Sequence, residues 1–485
     1  MAVWYSLQRV TSSPKGYLMQ FCRPYALFKL FFLLFLLSFS TAFCDKETEL
    51  DVELKTEYQV MPVLLHPIED KKSAFTSDYL QSLFSVMIFD INHSGIIELY
   101  TQDDGKSNQP IIDKTSFENP CDGAFLTKHK TYLALYPKVS DRDLSIKIVT
   151  CNSTTTKTFE NIGLSGNLSK DRTTIHRFMD ALVRLVFQKE GIASSRFIYT
   201  LTKKVQTDGD DAGQKYISEV FEADYDGENR RQLTNEKALV ANPCYIPSPD
   251  GLRSSNIIYV SYKIGQPKLH HLSLKDGKSK RVSPLRSCQM TPSVSKDGSL
   301  VAFASDVTGT SDIFVQPFNK TAGPIGKPRQ IFKAKGAASA SCTFSPDSKK
   351  IAFVTNKDGV ARVYLMDFPK ESTKLTDLQP RLLSKTCRES TAPVWSPDGK
   401  KIAFSGKTQD VRQIWIYDLE TQNEYQLTEG KTSKENPTWA ANGTHLYYNA
   451  KDPTGWEVYL IDTNRKKPSK IILGLGDKQF PCSEP

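Results

Sequence analysis

The 485 residues are enough for two or three domains, and 39% hydrophobic with 24% charged residues describe a folded chain, which excludes a fibrous or disordered one. The net charge of +9 falls to +5 once Arg9, Lys15, Arg23 and Lys29 of residues 1–44 are set aside. The remaining basic residues are interspersed with Asp and Glu, a solvated surface that excludes a nucleic-acid footprint.

The N-terminus carries a processing signal. Leu30–Phe39 is an apolar run preceded by Arg23 and Lys29 and followed by Ser40, Thr41 and Ala42. It is too short to span a bilayer and has the layout of a secretory signal peptide cleaved after Ala42 or Cys44. A lipid anchor at Cys44 is disfavoured by the bulky Phe43, and Met19 is a second candidate start. No other stretch reaches membrane-spanning length, so the mature chain is expected to be exported, soluble and without a transmembrane segment. Nine cysteines occur, seven of them beyond Cys44, with no Cys-x-x-Cys and no Cys/His cluster. That spacing predicts no zinc site, and it leaves at least one of the seven without a partner in the same chain.

Residues 45–195 read as an α/β domain. Leu50–Thr56 alternates apolar and polar like a half-buried strand, and Tyr58–Leu65 continues extended, with Pro62 arguing for an edge or a break. Ser77 is the expected N-cap of a helix carrying Leu80, Leu83, Phe84, Met87 and Ile91 on one face. Ile96–Tyr100, Tyr132–Tyr136 and Leu144–Val149 read as strands. A second helix is expected from about Thr174 to Lys189, stopped by Gly191. Strands with two amphipathic helices point to helices packed on a sheet.

From Phe197 the helical period is lost and one unit repeats. Thr391-Ala-Pro-Val-Trp-Ser-Pro-Asp-Gly-Lys-Lys-Ile-Ala-Phe404 reads as strand, tight turn, strand. Its turn recurs around Asp250, Asp297, Asp347 and Asn442, with intervals of 47, 50, 51 and 44 residues from 250 through 398 to 442. Four short strands per unit of this length are the signature of a β-propeller. The repeat at 197 lacks its own Pro-x-Trp-like strand, and Phe480-Pro-Cys482 supplies one at the far end of residues 196–485. Pairing it with Phe197–Tyr199 closes six blades into a ring without open edges.

These features together resemble the TolB family: the Ser-Pro-Asp-Gly repeats, the acidic turns Tyr225-Asp-Gly227 and Tyr417–Thr421, the signal peptide, and an α/β domain ahead of a six-bladed propeller. The chain departs from the family pattern at Ala440-Ala-Asn-Gly443 and in its last strand, with Cys482 and Glu484. The resemblance implies a non-enzymatic periplasmic protein that docks the outer-membrane lipoprotein Pal at one mouth of the propeller. It also implies contact with the inner-membrane protein TolA through residues 49–57, within a system supporting outer-membrane integrity and constriction at division. On this chain the docking loops are 286–291, 336–341, 387–392 and 434–436, with Cys288, Thr291, Ala340 and Thr391 as partner-binding residues. Their small side chains let a partner approach the backbone, and placement in loops predicts that arginine at 291 or 340 blocks docking without disturbing folding. A bridge between Cys244 and Cys482 would lock the closing seam, against the plainer reading of two buried thiols.

The rival class is an exported propeller hydrolase or a ligand-binding protein. The sequence has no Gly-x-Ser-x-Gly elbow and no His-Glu-x-x-His, and Gly406-Lys-Thr408 and Gly430-Lys-Thr432 lack the earlier glycine of a phosphate loop. The Asp at each repeat turn reads as turn chemistry, so no catalytic residue, cofactor or metal is expected. Two carboxylates meeting in the central channel stay open at this point.

Overall fold

The computed structural model describes residues 60–100, 115–151, 156–207, 213–248 and 253–485. The signal segment, residues 49–57 and the Asp250 turn lie outside them.

The α/β region has strands β1 (Met61–Leu65), β2 (Glu69–Ser73), β3 (Ile97–Leu99), β4 (Leu133–Asp141), β5 (Asp143–Thr150) and β6 (Lys157–Gly163), and helices α1 (Ser77–Asn92), α2 (Gly123–Lys128) and α3 (Leu168–Phe187). The sheet order is β3-β1-β4-β5-β6, with β2 also on β4. The expected edge at Pro62 is wrong, since β1 pairs with β3 on one side and β4 on the other. Proline is tolerated because the β1–β4 ladder starts one residue later, at Val63 opposite Leu133, so no ladder amide is missing. The strands β2 and β6 and helix α2 were not read from sequence, because β2 and β6 are mostly exposed and carry little apolar alternation.

Helix α1 is capped by Thr76, whose hydroxyl accepts from the Tyr79 amide, and Ser77 is its first residue rather than its cap. Helix α3 starts earlier than expected, at Leu168 behind Asn167, because its first turn is largely polar and leaves no apolar period. It ends at Gln188 in the left-handed conformation, φ 53, so Gly191 is not its stop. Gly191 serves a different purpose: a Cβ there would come within 2.0 Å of the Asp180 carboxylate, which accepts from the amides of Ala193 and Ser194. The chain thereby turns sharply from α3 into the propeller.

Six sheets then follow as blades. Blade 1 combines the innermost strand Asp477–Ser483 with Arg196–Thr207, Gly213–Asp224 and Arg231–Gln232. The innermost strands of blades 2 to 6 are Val240–Tyr245, Gln289–Val294, Ser339–Phe344, Glu389–Trp395 and Lys434–Trp439. In blade 1 Cys482 lies opposite Ile198 and Ser483 opposite Phe197, so the two ends of the repeat region share one sheet. The second strands are apolar along their length because both faces are covered by neighbouring blades; Ile351, Ala352 and Phe353 are all 0% exposed. Each such large side chain contributes about 1.5–3 kcal/mol on burial.

The recurrent turns work as the sequence implied. Ser295, Ser345 and Ser396 donate their hydroxyls to Asp297, Asp347 and Asp398, and those carboxylates accept the amides of Ser299, Lys349 and Lys400. Helices α1 and α3 pack on blades 1 and 6, sharing a core with Phe197, Tyr225, Tyr447 and Leu460.

Candidate functional site: the propeller channel and its mouth

Each innermost strand bends at the same place. The pairing register shifts between Ala241 and Cys244, Met290 and Ser293, Ala340 and Thr343, Thr391 and Val394, Glu435 and Thr438, and Gln479 and Cys482. In every shift one non-glycine residue has positive φ: Asn242, Thr291, Ser341, Ala392, Asn436 and Phe480, between 47 and 53 degrees. A left-handed residue costs roughly 1–2 kcal/mol when it is not glycine, and a bulge re-aims the strand. Six such residues in one ring are a repeated device rather than an accident. Sequence reading missed it, although a signal was present: five of the six directly precede a proline, Cys342 standing in the sixth place.

The bulges surround a cavity of about 450 Å³ on the ring axis. Its wall includes Pro243, Pro292, Pro393, Pro437 and Pro481, and Lys296 is the one charged side chain lining it among the described residues. No carboxylate pair and none of the seven histidines lines it, which answers the question left open by the sequence for the described residues. Among the described residues no cluster of His, Cys, Asp or Glu could hold a metal ion. Such a wall can hold an extended or apolar group by shape.

Cys244, Cys342 and Cys482 also line this cavity, and all three are free thiols. Burial pushes the Cys342 thiol up to about 12 and that of Cys482 up to about 11. The reactive thiolate is therefore suppressed at neutral pH. We expect iodoacetamide at pH 8 to modify all three much more slowly in the native than in the unfolded protein; rapid alkylation of the native protein contradicts the raised thiol pKa values.

The four residues expected to contact a partner do not share one environment. Cys288 precedes the innermost strand of blade 3, is half-buried, and its amide donates to Asp306 at 2.8 Å. Thr291, Ala340 and Thr391 lie within innermost strands, not in the loops before them. The bulges displace the strand starts toward the mouth, which sequence alone does not reveal. Thr291 accepts the Ser341 amide on its hydroxyl at 3.0 Å, tying blade 3 to blade 4. Ala340 is buried, 8% exposed, in a cluster with Ala334, Ala337 and Phe353.

The expectation of harmless arginine substitution is therefore revised. Ala340→Arg forces a long charged side chain into a packed seam and should cost about 3 kcal/mol or more of folding stability. Thermal unfolding checks this, and an unchanged melting temperature would show that the side chain escapes the core.

The innermost strands end beside the first residues of the second strands, near α1 and α3, and so begin at the opposite end of the ring. That opposite mouth is framed by the loops that lead into them. No helix among the described residues is long and apolar enough to cross a membrane.

Residues 184–485 match the family model described as the TolB beta propeller domain. The chain is 39% identical over 408 residues to a Protein TolB homolog of Protochlamydia amoebophila, covering 84% of this chain and 86% of that one. It is 34% identical over 434 residues to the Protein TolB homolog of Chlamydia pneumoniae, covering 89% and 92%. Among solved structures it is similar to TolB from Acinetobacter baumannii, with TM-score 0.67, 17% identity, and 89% and 98% coverage; that likeness shows the fold.

Proposed function

The chain belongs to the TolB family, and from that premise we propose that it is an exported periplasmic docking protein without catalytic activity. It binds a peptidoglycan-associated lipoprotein of Pal type at the propeller mouth away from α1 and α3. Residues 49–57 contact a TolA-like inner-membrane protein, and the two contacts together support outer-membrane integrity and constriction at division. The observation that carries this reading is the ring of six left-handed bulges around a cavity lined mainly by proline and other uncharged side chains. Backbone strain repeated around an opening favours recognition by shape. Of the four small residues, Cys288, Thr291 and Thr391 are the partner contacts in this reading, while Ala340 packs in the seam beneath.

The test is a pull-down with the mature protein against an envelope extract of its own organism. Recovery of a peptidoglycan-associated lipoprotein supports the reading. Turnover of a peptide or glycan library in the absence of such a partner overturns it.

A further inference from the structure

The loops framing the docking mouth differ sharply in chemistry around the ring. The loop entering blade 3 carries Arg286, the loop entering blade 4 carries Lys333 and Lys335, and the loop entering blade 5 carries Lys385 and Arg388. All five side chains are exposed. The loops entering blades 2 and 6 carry an exposed Lys237 and Lys431 as well, each beside a glutamate, Glu236 and Glu429, so the unbalanced cations are densest in one arc over blades 3 to 5. Several acidic groups nearby are engaged, while Asp410 and Glu429 are exposed. Glu236 is held by Lys263 and Tyr259, Asp358 by Lys357 and Tyr364, and Asp452 by Lys470. Asp306 takes the Cys288 amide and Glu424 takes the amides of Lys385 and Thr386.

Across the ring from blade 4 stands blade 1, and the loop entering it, residues 471–476, has no charged side chain of its own, although the exposed Lys203 of the adjoining strand lies beside Gly476. Leu473 is 67% exposed and Leu475 is 93% exposed. Gly474 and Gly476 beside them have φ of 115 and 98 degrees, a backbone that larger side chains rarely adopt. A Cβ on Gly476 would lie 2.7 Å from the Thr202 carbonyl oxygen, so the loop is pressed against blade 1 while Leu475 projects into solvent. A leucine this exposed, held on a fitted turn, is spare apolar area that an interface core can use.

We propose that this mouth selects a protein partner whose docking face is acidic on one side and apolar on the other. The acidic side meets the arc of blades 3 to 5, and an apolar recess receives Leu475. Charge on one half of the mouth and leucine on the other fix the rotation of the partner about the channel axis, which a uniform rim could not do. The arc also steers encounter, so association slows as salt is added. The proposal rests on the reading above that a lipoprotein domain docks at this mouth.

The experiment titrates the soluble domain of the same organism's peptidoglycan-associated lipoprotein against the mature protein at low and high salt. Three variants are compared: the triple Arg286→Glu/Lys335→Glu/Arg388→Glu, Leu475→Asp, and Lys349→Glu at the other end of the ring. All the altered residues are exposed, and unchanged melting temperatures confirm that folding is intact. We expect the triple variant to bind roughly 30-fold or more weakly at low salt and to lose most of its salt dependence. Leu475→Asp should bind about 10-fold weaker with the wild-type salt dependence, and Lys349→Glu should match wild type. If the lipoprotein binds and the triple variant matches wild type, the charge pairing is wrong while docking stands. If the wild type does not bind the lipoprotein at all, the docking reading falls and this inference with it. Tighter binding of the wild type to vesicles of anionic phospholipid, lost in the triple variant, would make the arc a membrane patch and overturn the proposal.

Discussion

Removing Phe480–Pro485 should cost most of the stability of the protein, several kcal/mol out of a total of roughly 5–15. The deletion strips the pairing of Cys482 with Ile198 and Ser483 with Phe197, and leaves blade 1 with a bare inner edge. It also takes away Glu484, which binds Arg196 at 3.0 Å and accepts the Ser254 amide at 2.6 Å. The Arg196 side chain is 10% exposed, so its guanidinium would be left with Glu222 alone in a buried site. Losing one partner of a buried pair typically costs about 3–5 kcal/mol, before any strand pairing is counted. The measurement is thermal or urea unfolding of the truncated chain; a transition unchanged from wild type would mean that the ring does not depend on this strand.

The second large effect lies where α1 and α3 meet blade 1. His176 of α3 is buried between two carboxylates, 2.9 Å from Asp90 of α1 and 3.2 Å from Asp226 of the blade. Arg172 binds Asp226 from the other side, and the buried Tyr225 hydroxyl donates to Asp90. Burial by itself would lower the imidazole pKa, but the two carboxylates outweigh it and raise it to about 10. His176 is therefore an imidazolium at neutral pH, and α1, α3 and the propeller are joined through one charge. His176→Ala should destabilise the protein by about 3–5 kcal/mol at pH 7, because Asp90 keeps only a phenol for a buried carboxylate. The sign of the pH dependence follows from the raised value. The contribution is present in full below pH 6.5, the ordinary imidazole value, and fades as the pH climbs toward 10. The gap between wild type and variant should thus shrink from pH 6 to pH 10. An imidazole resonance of His176 that titrates near 6.5 would contradict the arrangement.

Neither helix gave a sequence signal for this cluster, since a lone His in an amphipathic helix reads as an ordinary half-buried position. The ring was easier to read. A Ser-x-Asp-Gly turn before an apolar run is local chemistry, and three hydroxyl–carboxylate turns of that kind, with Asn442 in the place of the Asp in a fourth, set the repeat length on the page. Five were expected, and the one at Asp250 lies outside the described residues. The pairing of Phe480–Cys482 with Phe197–Tyr199 was legible, but the local geometry that one strand imposes on another escaped. The bulges at Thr291 or Ala392 exist only relative to a partner strand, so Thr291 and Thr391 were assigned to loops that the folded ladder absorbs. Pro62 misled for the same reason, because its cost depends on where the neighbouring ladder begins. Helix caps shifted by one residue at Thr76 and by several at Asn167, where polar first turns hide the start.

The shared sheet of blade 1 also sets the order in which the molecule can be assembled. Arg196 and Glu484 are 288 residues apart in sequence, and the chain is made from the N-terminal side. Until residues 477–483 have been synthesised and delivered, the strand Arg196–Thr207 carries an unpaired inner edge, and blades 6 and 1 cannot be joined. Contacts of such separation form slowly. A chain threaded through a membrane as it is made would thus spend its longest-lived partly folded state as an open arc of blades. That state, rather than the finished ring, is the one that chaperones and proteases would encounter.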